Sequence, residues 1–117
     1  MLEDKAKELG RLIGQSTEYQ AVKRTSEALN GDASAVGALK RMEELRVSAQ
    51  QMMQRGERPT PEMEQELDTL LGTVQSNITY QHAIAAQENF DKTMLRVNEW
   101  ILEGIKKGAE SRIITLG

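Results

Sequence analysis

The chain carries one histidine, His82. Imidazole titrates near neutrality and is a common metal ligand, so His82 is the first place to look for chemistry. No carboxylate sits three or four residues before it, so there is no Glu-x-x-His metal pattern. Glu88 lies six residues later, off the same helical face. His82 therefore reads as a surface or helix-start residue. None of Ser16, Ser26, Ser34, Ser48, Ser76 and Ser111 sits in a Gly-x-Ser-x-Gly elbow. No glycine loop precedes Lys-Ser or Lys-Thr to cradle phosphate. Glu43, Glu44 and the acidic run Glu62, Glu64, Glu66 could suggest a divalent cation. Alternation by two, however, splays side chains around a helix, which fits a solvated face. With no cysteine, thiolate catalysis, disulfides and Cys-ligated clusters are excluded. No catalytic residue, metal ligand or cofactor is assigned, and the chain is read as a non-enzyme.

The composition limits the partners. The net charge is -3, whereas direct nucleic-acid binding draws on clustered Lys and Arg. The best basic group, Lys40, Arg41 and Arg46, is small, so no direct nucleic acid is expected. No apolar run approaches the roughly 18 residues of a spanning helix, so no membrane insertion is expected. The mixed-charge start Met1-Leu2-Glu3-Asp4-Lys5 is unlike a signal peptide, which makes the cytoplasm the expected location. Gly10-x-x-x-Gly14 and Gly104-x-x-x-Gly108 have small-residue spacing, but Lys106 and Lys107 point to helix termini instead.

The elements that hold these residues are helices. Aromatics make up 3% of the chain, and the two prolines stand close together at 59 and 61. Residues 3–14 form a first helix with Leu9, Leu12 and Ile13 on one face. Ser16 caps a second, which runs to about Asn30. Asp32 caps a third at roughly 33–55, where Val36 or Leu39, then Met42, Leu45, Ala49, Met52 and Met53 recur at helical spacing. The segment 55–59 breaks it. Thr60 with Pro61 opens a fourth helix at about 61–76, with Met63, Leu67, Leu70 and Val74 as its stripe. Asn77 caps a fifth at about 78–107, with Gly104 and Gly108 weakening its end. Ile113–Leu116 is an apolar tail, either a docking strand or a loose end.

The expected fold is all-α: an antiparallel helical hairpin or bundle of about five helices with a long C-terminal helix, in one domain over 1–117. Short loops predict antiparallel neighbours. The third helix sums to about +2 and the fourth to about -4, so the two favour one another as a hairpin around 56–59. The fifth helix spans ~45 Å and the fourth only ~25 Å. One hairpin arm cannot cover the seam Phe90, Met94, Val97, Ile101, Ile105, which steps by four, three, four and four. The first two helices cover part, and a second copy is the economical cover for the rest, which predicts a homodimer or higher homo-oligomer. Trp100 lies beside that seam. Phe90, Met94, Val97, Trp100, Ile101 and Ile105 are the candidate interface. Met42, Met52, Met53, Met63 and Met94 read as core, with an adaptable docking surface as the alternative.

Several short stretches, in order, resemble the YlbF/YmcA family of small bacterial helical proteins. They are Ser16-Thr17-Glu18-Tyr19, Asp32-x-x-Ala35, and the Gln-rich Gln50-Gln51-Met52-Met53-Gln54-Arg55-Gly56. Thr60-Pro61-Glu62, Leu70-Leu71-x-x-Val74-Gln75-x-Asn77 and Ala86-Gln87-Glu88-Asn89-Phe90 follow. The resemblance covers nearly the whole chain. It implies helical hairpins assembled as dimers or larger oligomers, and regulatory partner binding. Some members act in a complex that influences competence, sporulation and biofilm formation through a membrane-associated endoribonuclease. Some carry cysteines that help hold iron–sulfur clusters; this chain has none, so that role is not carried over.

The function expected from these readings is a non-catalytic regulatory or adaptor protein working through protein–protein contact. The alternative is a small-ligand or metal-binding helical bundle.

Overall fold

A computed structural model describes the backbone of residues 1–116 and the side chains of residues 1–110. Five helices follow in order: α1 (Leu2–Gly14), α2 (Thr17–Asn30), α3 (Ala33–Gln54), α4 (Pro61–Gln75) and α5 (Ile78–Leu116). There is no strand among the described residues.

Four caps start four of these helices. The Ser16 hydroxyl accepts from the Tyr19 N–H at 3.2 Å, and the Asp32 carboxylate from Ala35 at 3.1 Å. The Thr60 hydroxyl accepts from Met63 at 3.2 Å, with Pro61 behind it. The Asn77 side-chain oxygen accepts from Tyr80 at 2.9 Å. Each satisfies an N–H that the helix itself leaves without a partner. At the other end of α3, the Glu57 N–H donates to the Met52 carbonyl at 2.8 Å and Gly56 to Met53 at 3.0 Å. This is a Schellman closure, and it needs the left-handed backbone of Gly56, φ 78°.

Only one sequential pair of helices folds back on itself. α3 and α4 pack along their lengths as a hairpin around 55–60. The other sequential pairs, α1–α2, α2–α3 and α4–α5, touch mainly beside their links. Those links are two residues long, and at each the chain bends without folding back along the previous helix. They act as corners. Two share one local design: Gln20 Nε2 donates to the Gly14 carbonyl at 2.7 Å, and Gln81 Nε2 to the Gln75 carbonyl at 2.8 Å. In each, a glutamine four residues past the cap ties the new helix to the end of the old one. The expectation that short loops make every neighbour antiparallel is thus corrected.

The second extensive packing is between α2 and α5, distant in sequence. Tyr19 meets Phe90 edge to face, ring centroids 5.4 Å apart, while Asp32 just beyond α2 meets Asn77 just before α5. The two helices therefore run antiparallel. The molecule has two arms, α2/α5 and α3/α4, joined where the α2–α3 and α4–α5 links lie side by side. At that junction Asn77 Nδ2 donates to Asp32 Oδ2 at 3.1 Å.

The core is thin. Ala35, Ala38, Leu45, Val74, Ala86 and Val97 are the buried residues among those described, and Val74 is the largest side chain that is fully buried. The sequence stripe on α3 favoured Val36 or Leu39. The structure buries Ala35, Ala38 and Leu45, half-buries Leu39 and leaves Val36 exposed. The radius of gyration is 21.9 Å, against ~13 Å for a compact domain of this length. The extents are 70 × 36 × 20 Å, so the thin dimension holds about two helix diameters.

α5 runs past the expected end near residue 107 and through Gly104 and Gly108. A helical glycine costs only about 1 kcal/mol relative to alanine, too little to stop a helix that meets no proline. The backbone of 113–116 continues α5 and is not a strand; whether the Ile113–Leu116 tail docks lies outside the described residues.

Candidate interaction surface

The six candidate interface residues divide into two groups. Phe90 and Met94 are half-buried and Val97 is buried, so the first half of the seam is already covered within the chain. The remainder is open: Trp100 is 61% exposed, Ile101 43% and Ile105 60%. Leu95 and Leu102, which the heptad reading passed over, are exposed as well. From Asn98 to Glu110 every residue of α5 is exposed. A helix with apolar residues on several sides and nothing packed on it is an unfinished contact.

A second apolar surface lies on the other arm. A groove of about 710 Å³ runs between α3 and α4, floored by Leu39, Met42, Leu45, Met53, Met63 and Leu67. Glu43, Arg46 and Glu64 stand at its edge. Three of the five singled-out methionines line it: Met42 and Met63 are half-buried, and Met53 is exposed rather than core. Met52 and Met94 are half-buried outside it. The sequence signal was the methionine content itself, since Met adapts to irregular apolar surfaces.

The charge pattern of the hairpin is as expected from its composition. Arg41 holds Glu66 with two hydrogen bonds, 2.6 and 3.1 Å, and also reaches Glu44 at 3.2 Å. The Arg41 contact holds the Glu66 carboxyl below the usual carboxylate range. Arg46 pairs with Glu43 in the same way and lowers its pKa. Two of the three cations on α3 considered for nucleic acid, Arg41 and Arg46, are thus engaged by carboxylates. At the junction, hydrogen bonds from the Ala35 backbone and the Asn77 side chain lower the Asp32 pKa.

His82 is exposed. Among the described residues no group of three His, Cys, Asp or Glu side chains could hold a metal ion. No described helix is long and apolar enough to cross a membrane.

Fold and surface together define an elongated all-helical protein with two open apolar faces. The chain belongs to the family described as "Control of competence regulator ComK, YlbF/YmcA", whose model matches residues 2–106. It is similar to the UPF0342 protein of Streptococcus gordonii, 26% identical over 103 residues, covering 88% of this chain and 92% of the relative. It is also similar to the UPF0342 protein of Leuconostoc mesenteroides, 22% identical over 102 residues, covering 87% of each. The UPF0342 protein of Limosilactobacillus reuteri is 24% identical over 103 residues, covering 88% of this chain and 84% of the relative.

Proposed function

We propose that the whole chain, 1–117, works as one homo-oligomeric, non-catalytic adaptor that acts in the bacterial cytoplasm by binding other protein chains. The family description, a competence regulator, supports a place in the control of developmental pathways. The observation that carries the oligomeric part is surface area. The chain exposes 9254 Å², against ~6,400 Å² for a compact monomer of this size. The excess is ~2,900 Å² per chain, so burying even half of it on each of two chains would remove ~2,900 Å² in total, within the roughly 2,000–5,000 Å² of obligate interfaces. Trp100 stands in the exposed stripe, and Trp is enriched among residues that dominate binding.

Light scattering coupled to size exclusion tests this reading. A dimer or larger assembly is expected, weakened in Trp100→Ala. A wild-type monomer at micromolar concentration would overturn it.

A further inference from the structure

We propose that the α3/α4 groove of each chain is filled by the α5 end of a second copy, and reciprocally. Trp100, Ile101 and Ile105 enter the groove, and Lys106 and Lys107 meet the carboxylates of α4. The inference rests on the homo-oligomeric reading above and specifies its geometry.

Four observations lead to it. The groove and the α5 end are both apolar and both uncovered. They cannot satisfy each other within one chain. No α5 residue lines the groove, and α5 leaves the junction alongside α2 rather than α3. Trp100 is ~33 Å from the start of α5, and Leu45 is ~18 Å along the other arm. The groove is long enough to take the stripe: Leu39 to Met53 extends ~21 Å, and Trp100 to Lys107 ~10 Å. Individual charges can pair across the contact, while Glu99, Glu103 and Glu110 against Lys106 and Lys107 leave Asn98–Glu110 one charge negative overall. Glu62, Glu64, Glu66 and Asp68 give α4 four acids and no base, while Lys106 and Lys107 adjoin the apolar stripe. Each chain has one groove and one α5 end. Two such contacts related by a two-fold axis close a dimer and leave neither face open.

The chain has no cysteine, so engineered pairs report cleanly. Met53 and Ile105 are both exposed, and the double variant Met53→Cys/Ile105→Cys is expected to fold as wild type by circular dichroism. Under mild oxidation it should give a covalent dimer on a non-reducing gel. As an independent measurement, Glu62→Lys/Glu64→Lys should weaken dimerisation about 3- to 10-fold at low salt, the range for a few rim ion pairs. Adding Lys106→Glu/Lys107→Glu should restore it. A wild-type dimer with neither the cross-link nor the charge rescue overturns the groove assignment and leaves the oligomeric reading standing. A wild-type monomer overturns both, and the groove then belongs to another ligand. A ladder of trimers and larger species overturns the closed pairing.

Discussion

Asp32 and Asn77 are 45 positions apart, yet the Asn77 amide donates to the Asp32 carboxylate at 3.1 Å. Each also caps a helix, Asp32 that of α3 and Asn77 that of α5. One pair of side chains thus starts two helices and fastens the two arms. Asn77→Ala removes a cap and the tie together. It should lower stability by at least the ~1 kcal/mol of a lost cap, read from urea unfolding. Asn77→Asp keeps the cap but sets two carboxylates against each other. It should be less stable than wild type at pH 7 and recover part of the loss toward pH 4.

Acid should loosen the molecule. Asp32, Glu43 and Glu66 all have folded pKa values below their ordinary ones. A depressed carboxylate stabilises the fold above its unfolded pKa and loses that contribution as pH falls through the folded value. The unfolding midpoint should therefore be flat from pH 7 to about 5 and fall below about 4, near and under the ordinary carboxylate values. Glu66→Gln should show a shallower fall, because one of the three titrations is gone.

Val74 is the largest fully buried side chain among the described residues, near the end of α4. Val74→Ala should cost about 2 kcal/mol, between the usual Ile→Val and Leu→Ala values. In a thin core that is a large share of a stability of ~5–15 kcal/mol. Calorimetry should show a clearly lower melting temperature.

Gly56→Ala places a Cβ on a left-handed backbone at φ 78°. Nothing crowds that position, so the cost is conformational alone. About 1 kcal/mol is expected, with the α3/α4 hairpin intact by circular dichroism.

Tyr19 and Phe90 join the start of α2 to the middle of α5. Tyr19→Ala should remove about 0.5–1.5 kcal/mol of edge-to-face contact beyond its lost area. Hydrogen exchange should then speed up in the first turns of α2 before it does in α3.

What the sequence disclosed was local. Ser16, Asp32, Thr60 and Asn77 were readable as caps because a cap is made by residues three apart. Gly56 was readable as a stop for the same reason. The packing of α2 on α5 was legible only in part, as the need for the first two helices to cover some of the α5 seam; its direction depends on whether a link reverses the chain or only bends it. The links at 15–16 and 76–77 look like turns in sequence, and Gln20 and Gln81 make them corners. The burial of Ala35, Ala38 and Ala86 is not legible in a stripe of large apolar residues, since a small side chain adds little to the hydrophobic pattern. For the surface, the stepped seam on α5 was visible, but not where its cover ends. That boundary, between Val97 and Trp100, is set by how far the rest of the chain reaches.

The junction makes the protein a lever. α5 is a continuous rod from Ile78, and Glu110 lies ~48 Å along it. A tilt of ~10° about the Asp32–Asn77 tie displaces that end by ~8 Å, more than the ~5.4 Å pitch of a helix turn. A small angular change at the two caps is thus magnified into a sideways displacement approaching a helix diameter at the far end.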